Sequence, residues 1–115
     1  MTYLADKSVL VTGGTGSFGK AFIRRLLSDF EPRRVVVFSR DELKQYEFRQ
    51  ELGDDPRLRW FIGDVRDRAR LEQAFNGVEV VVHPGSEPRY ALITSFESSQ
   101  ILADWIESER EPVAR

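Results

Sequence analysis

Cysteine is absent from the 115 residues, so disulfides and thiolate metal sites are excluded and the redox compartment stays open. No metal site is expected. No apolar run is long enough to span a membrane. The opening Met1-Thr-Tyr-Leu-Ala-Asp-Lys7 lacks a signal-peptide pattern, which makes the cytoplasm the expected location. Neither sign of charge prevails: 17 basic against 19 acidic side chains leave a net charge of −2. That balance argues against a broad nucleic-acid or anionic-membrane surface while allowing one local basic pocket. Internal repeats and low-complexity segments are missing too. What is present is ordinary for a globular protein, 41% apolar and 31% charged. The length suits a single domain over residues 1–115, too short for a binding domain plus a substrate domain. A chain of this size buries about two-thirds of its unfolded surface, enough for one independent core.

Short apolar runs alternate with helical patterns from residue 8 to residue 83. Ser8-Val-Leu-Val-Thr12 reads as a buried strand that ends in glycines. Residues 17–28 read as a helix, with Phe18, Ala21, Phe22 and Leu26 recurring every three or four positions and Pro32 marking its end. Arg34-Val-Val-Val-Phe38 is a second strand, apolar without alternation, as a strand covered on both faces should be. Ser39-Arg-Asp-Glu42 fits a capping box in which the Ser39 hydroxyl caps a helix carrying Leu43, Tyr46 and Leu52. Gly53 and Pro56 stop that helix. Leu58-Arg-Trp-Phe-Ile62 is a third strand, and residues 67–76 a third helix with Leu71, Ala74 and Phe75 on one face and Gly77 as C-cap. Val78-Glu-Val-Val-Val-His83 is the fourth strand. The series predicts an α/β fold: a Rossmann-like half, with a parallel sheet of four strands and helices on both faces.

The last thirty residues differ. Pro84-Gly-Ser-Glu-Pro88 is turn chemistry, and few residues separate His83 from Tyr90. A parallel crossover needs a dozen or more, so a fifth strand at residues 90–94 would pair antiparallel to the fourth. Residues 97–109 then read as a helix, with Ile101, Leu102, Trp105 and Ile106 at helical spacing. One long helix over residues 90–109 is the alternative; strand then helix is preferred. The division is therefore 1–83 as a nucleotide-binding half and 84–115 as a divergent turn, edge strand and helix.

The chemistry-bearing motif is Thr12-Gly13-Gly14-Thr15-Gly16-Ser17-Phe18-Gly19, directly after a strand and opening a helix. Gly13, Gly16 and Gly19 have the spacing of a dinucleotide-binding turn: one for the sharp bend, one for close approach of amides to phosphate, one for helix packing. The positive helix end would hold a pyrophosphate. Gly14 to Lys20 also matches a triphosphate-binding loop, but position 21 would then need a hydroxyl for magnesium and holds Ala21.

An acidic residue about twenty positions past the glycines would bond the ribose 2′-hydroxyl of NAD. Ser39 and Arg40 stand there instead, with Lys44 one turn further on. A hydroxyl and a guanidinium suit a 2′-phosphate, so NADP is expected over NAD. The alternative is a solvated Arg40. Asp64 and Val65, after the third strand, either frame an adenine or shape a turn. His83, the only histidine, ends the fourth strand where ligands bind in open sheets, and is either a cofactor contact or structural.

The glycine loop together with Ser39-Arg-Asp-Glu-Leu-Lys-Gln45 and Phe61-Ile-Gly-Asp-Val-Arg-Asp67 closely resembles the start of the UDP-N-acetylglucosamine 4,6-dehydratases, extended short-chain dehydrogenases/reductases of polysaccharide and flagellin-sugar synthesis. The resemblance covers residues 5–83. It implies NADP held by the glycine loop at Gly13, Gly16 and Gly19, by Ser39, Arg40 and Lys44, and by Asp64 and Val65; Thr12, Ser17 and Phe18 of the same loop, and His83, are further candidates for the cofactor site. The pattern then breaks. Pro84-Gly-Ser-Glu replaces the family's small-residue segment, and the Tyr-x-x-x-Lys pair that should follow is missing: Tyr90 precedes Thr94, and no lysine comes after Lys44. The general base for hydride transfer would be lost, so the chain is not expected to be catalytic alone. Other readings are an interaction or regulatory protein partnering a full-length dehydratase, an enzyme half completed by another subunit, and a homodimer contacting through Trp105 and Ile106. A covered sheet edge is a physical need in each.

Overall fold

The computed structural model describes residues 4–84 and 88–92. Five strands and three helices follow in the order β1 (Ser8–Thr12), α1 (Ser17–Asp29), β2 (Arg34–Ser39), α2 (Glu42–Leu52), β3 (Leu58–Ile62), α3 (Arg68–Ala74), β4 (Val80–Pro84) and β5 (Pro88–Leu92). They form one sheet in the order β3-β2-β1-β4-β5. β1 pairs parallel with β2 and β4, and β2 parallel with β3, giving the four-stranded parallel sheet of a Rossmann-like half. β5 pairs antiparallel with β4, Val80 opposite Leu92 and Pro84 opposite Pro88. The short connection between them allows no other direction. β5 lies two residues earlier than the strand expected at residues 90–94. A helix running from residue 90 is excluded by it, and the helix expected at residues 97–109 lies outside the described residues.

The sheet is sandwiched because its strands are apolar on both faces. Leu10, Val36, Phe38 and Val81 meet Leu71, Ala74, Phe75 and Val78 on the α3 side. Val9, Val11, Val35, Val37, Val80 and Val82 meet Ile23, Leu26 and Phe48 from α1 and α2 on the other. Alternation of side chains along a strand produces this split. Among the described residues, no helix is long and apolar enough to cross a membrane.

Two helix faces differ from expectation. α1 buries Gly19, Ile23 and Leu26, whereas Phe18 is 44% exposed and Ala21 lies outside, because Phe18 stacks on Phe22 along the helix flank (centroids 6.0 Å apart). α2 buries Gln45 and Phe48, leaving Leu43 and Tyr46 outside at 66% and 62% exposure. Phe48 packs edge-on against Trp60 of β3 at 5.9 Å. α3 is shorter than the expected span of 67–76. Asp67 caps it by accepting from the Arg70 N–H, Phe75 is its C-cap, and Gly77 sits beyond at φ 78° in the turn into β4. β4 accordingly begins at Val80 rather than Val78.

Candidate functional site

The carboxyl ends of β1, β2, β3 and β4 open onto a cleft of about 500 Å³ lined by Thr12, Gly13, Thr15, Gly16, Phe38, Ser39, Arg40, Asp41, Lys44, Gly63, Asp64, Val65 and His83. Parallel topology puts these strand ends on one edge, where open α/β sheets bind ligands.

Its floor is the bend from β1 into α1. Gly13 takes φ 59°, a left-handed conformation that favours glycine. The Gly14 N–H donates to the Phe38 carbonyl (3.2 Å) and the Gly16 N–H to the Gly13 carbonyl (3.0 Å), so both amides serve to hold the bend. Ligand donors must come from elsewhere. The first-turn amides of Ser17, Phe18 and Gly19 have no acceptor within their own helix, and they point toward the loop. Gly19 lets the helix come this close: a Cβ there would stand 2.4 Å from the Gly13 oxygen and 2.7 Å from the Gly14 Cα. Ser17, Phe18 and Gly19 themselves do not line the cleft. What α1 can contribute is its amide end.

The β2 end supplies Ser39, which is not the helix cap that the capping-box pattern suggested. Ser39 is still strand, opposite Ile62 of β3. Asp41 caps α2 instead, its carboxylate accepting the Lys44 N–H at 3.0 Å. The Ser39 hydroxyl accepts from Gln45 Nε2 (2.9 Å), and the same nitrogen reaches the carbonyl of Phe61 (3.0 Å). Gln45, 4% exposed, thus ties α2 to the ends of β2 and β3. Residue pattern alone did not single it out. The available signal was a polar residue three before an apolar one, on the stripe that Phe48 buries. Thr15, Phe38, Asp41 and Gly63 also line the cleft, and none of them is a ligand contact expected from the sequence. Gly63 has a packing reason, since a Cβ would meet Arg70 Cγ at 2.8 Å and Phe38 Cζ at 2.9 Å.

The two edges of the cleft mouth are joined by charge. Asp64 accepts from Arg66 Nη2 (2.7 Å) and Nε (3.1 Å), and its Oδ1 also takes the Arg66 backbone N–H (2.9 Å). Asp64 thereby shapes the turn after β3, and by hydrogen bonding it raises the already high pKa of Arg66. Arg40 Nη1, from the β2 end, lies 3.5 Å from the same carboxylate, with its side chain 68% exposed. On the opposite side His83 is buried, its Nδ1 2.6 Å from the Thr12 hydroxyl. The register of Val11 against Val82 makes these two neighbours. Among the described residues no acidic, histidine or cysteine cluster could hold a metal ion.

The structure therefore brings together Thr12, Gly13, Gly16, Ser39, Arg40, Lys44, Asp64, Val65 and His83. The Tyr-x-x-x-Lys spacing does occur once, at Tyr3 and Lys7, but Lys7 precedes β1 and so stands at the end of the sheet opposite the cleft.

Over 77 residues the chain is 48% identical to a UDP-N-acetylglucosamine 4,6-dehydratase (inverting) of Campylobacter jejuni, a match that covers 67% of this chain and 23% of that protein. The chain thus spans about a quarter of that relative's length. Among solved structures it is similar to Pen from Bacillus thuringiensis (36% identity, TM-score 0.64, covering 70% of this chain and 24% of that one). It is also similar to the Bordetella bronchiseptica enzyme WbmG in complex with NAD and UDP (26% identity, TM-score 0.56, covering 70% and 25%). The model of the polysaccharide biosynthesis protein family matches residues 9–101, and the chain belongs to that family.

Proposed function

We propose that the cleft binds the adenosine diphosphate moiety of a nicotinamide dinucleotide, with NADP(H) preferred over NAD(H). The observation that carries the reading is the continuity of one cleft past three strand ends: the glycine bend, Ser39-Arg40 with Lys44, and Asp64-Val65. The amide end of α1 suits a pyrophosphate. The WbmG structure, which holds NAD, supports a dinucleotide on this fold. Preference for a 2′-phosphate follows from what stands at the β2 end. No carboxylate occupies the strand terminus; Ser39 does, and Asp41 spends an oxygen on the Lys44 amide. Arg40 and Lys44 both reach the cleft. A guanidinium matches phosphate oxygens two at a time.

By similarity to the dehydratase, the full reaction would act on a UDP-linked amino sugar. In this reading the described residues contribute cofactor recognition, and water elimination is assigned to groups outside them, because the cleft they form is lined by no tyrosine to serve as the base.

Thermal-shift titration tests the reading. NADPH is expected to raise the melting temperature more than NADH, and Arg40→Ala to remove the difference. Loss of a charge-assisted hydrogen bond costs about 1.5–3 kcal/mol, roughly ten- to a hundred-fold in affinity. Equal response to both cofactors in the wild-type chain refutes the 2′-phosphate assignment. In the same preparation UDP-N-acetylglucosamine is expected to yield no 4-keto-6-deoxy product, and its appearance refutes the division of labour.

A further inference from the structure

Asp64 belongs to two arrangements at once. Its backbone-capping oxygen and its bond to Arg66 make the turn after β3, yet the carboxylate also stands 3.5 Å from Arg40 Nη1 across the cleft mouth. Arg40 and Asp64 arrive from different strand ends, and each lines the cleft. A ligand phosphate that recruits Arg40 must therefore compete with a carboxylate already beside it, and must also approach that negative charge. We propose that Asp64 is a specificity-determining counter-ion, which lowers the affinity of the cleft for a ribose 2′-phosphate by holding Arg40 and by repelling the phosphate directly. This deepens the dinucleotide reading above and rests on it.

The physical reasoning turns on which ligand groups sense the pair. A neutral 2′-hydroxyl leaves the Arg40–Asp64 contact intact, because it offers Arg40 no charge in exchange. A 2′-phosphate carries nearly two negative charges and three strong acceptors, enough to draw the guanidinium away. Arg66 sets how much of the carboxylate is left over. Its fork engages Asp64 at 2.7 and 3.1 Å, closer than Arg40, and so neutralises much of the negative charge that Arg40 and an incoming phosphate would feel. Weakening Arg66 should strengthen the hold of Asp64 on Arg40. Two substitutions thus have opposite signs, which a general loss of fold would not produce.

The experiment compares 2′,5′-ADP with 5′-AMP by calorimetry or fluorescence titration, because these differ only in the 2′-phosphate. Asp64→Asn keeps an oxygen for the Arg66 amide and removes the charge. The ratio of affinities, 2′,5′-ADP over 5′-AMP, is expected to rise about three- to ten-fold, the range of an exposed ion pair plus a repulsion relieved. Arg66→Gln is expected to lower it. In an Arg40→Gln background the effect of Asp64→Asn should shrink to the part due to direct repulsion, below about two-fold. A role for Asp64 in gripping adenine would weaken both ligands equally and leave the ratio unchanged, and that result overturns the proposal. A ratio that falls in Asp64→Asn, or rises in Arg66→Gln, overturns it as well. Should the wild-type chain bind neither nucleotide, the dinucleotide reading fails and this inference goes with it. Binding with an unmoved ratio sinks the inference alone.

Discussion

Gly19→Ala separates two opposing effects at the base of the cleft. Gly19 is the third residue of α1, where alanine would ordinarily stabilise a helix by about 1 kcal/mol relative to glycine. Here the added carbon would stand 2.4 Å from the Gly13 oxygen and 2.7 and 2.9 Å from the Gly14 Cα and carbonyl carbon, where ordinary contact begins near 3.4 Å. All three are backbone atoms, so no rotamer change relieves the overlap. The helix must slide away by about an ångström, at a cost in the upper part of the overpacking range because every contact is to backbone, about 2–3 kcal/mol, which exceeds the propensity gain. A net loss of about 1–2 kcal/mol lowers the melting temperature of a domain this size by about 4–8 °C. Displacement also carries the first-turn amides away from the bend, so NADPH affinity should fall about ten-fold or more, as for a lost charge-assisted hydrogen bond. Gly16→Ala is the control for stability alone, since its Cβ would meet the Gly13 oxygen at 3.4 Å in an extended backbone of φ −78° and ψ 173°, while Gly16 itself lines the cleft. Differential scanning fluorimetry with and without NADPH reads both effects. A Gly19→Ala chain as stable as wild type, or one that binds as tightly, refutes the account of this bend.

At the other end of the sheet Glu79 accepts the Ser8 N–H (3.0 Å) and a bond from Arg33 Nη2 (2.6 Å), which together hold its carboxyl below the usual value of 4.5, the backbone bond contributing most. A depressed folded-state pKa stabilises the fold above pH 4.5 and loses that contribution as pH falls through the lower folded value. Urea melts of Glu79→Gln should therefore show lower stability than wild type at neutral pH and converge with it once the pH has fallen below the lowered folded-state value; parallel curves throughout refute the linkage. Thr12→Val, nearly isosteric, removes the buried hydroxyl bonded to His83 Nδ1 at 2.6 Å and should cost about 1–2 kcal/mol in the same melts, whereas Thr12→Ser retains the bond. Equal stability of Thr12→Val and wild type assigns that contact no energetic role.

The strands and the glycine bend were legible in the sequence because few residue types satisfy their backbone demands. Val9, Leu10 and Val11 are apolar on both faces, which only a doubly covered strand explains, and all three are fully buried. The direction of β5 followed from chain length alone, since Pro84 and Pro88 are too close for a crossover. Helix rotation was harder to read. The two apolar residues Leu43 and Tyr46 share a flank of α2, yet Gln45 and Phe48 face inward. What decides between these stripes is the set of carbonyls at the ends of β2 and β3, Ser39 and Phe61 among them, that require a donor beside them. Those carbonyls belong to strands brought together only by folding.

The same reason explains why Ser39 looked like a cap and Asp64 like an adenine contact. Ser39 has the right residue type for a cap, but the pairing of β2 with β3 extends through it, so capping passes to Asp41. Asp64 was weighed as a ligand for adenine or as a turn former, and its chemistry permits both. Sequence could not place Arg40 beside it, because the two lie on separate strand ends that meet only when β2 and β3 align. Once they are adjacent, cofactor preference ceases to be a property of one arginine. In the proposal above it depends also on how the Asp64 carboxylate is divided among its partners, Arg40 and Arg66 included, and a sequence pattern that scores each residue alone carries no term for that sharing.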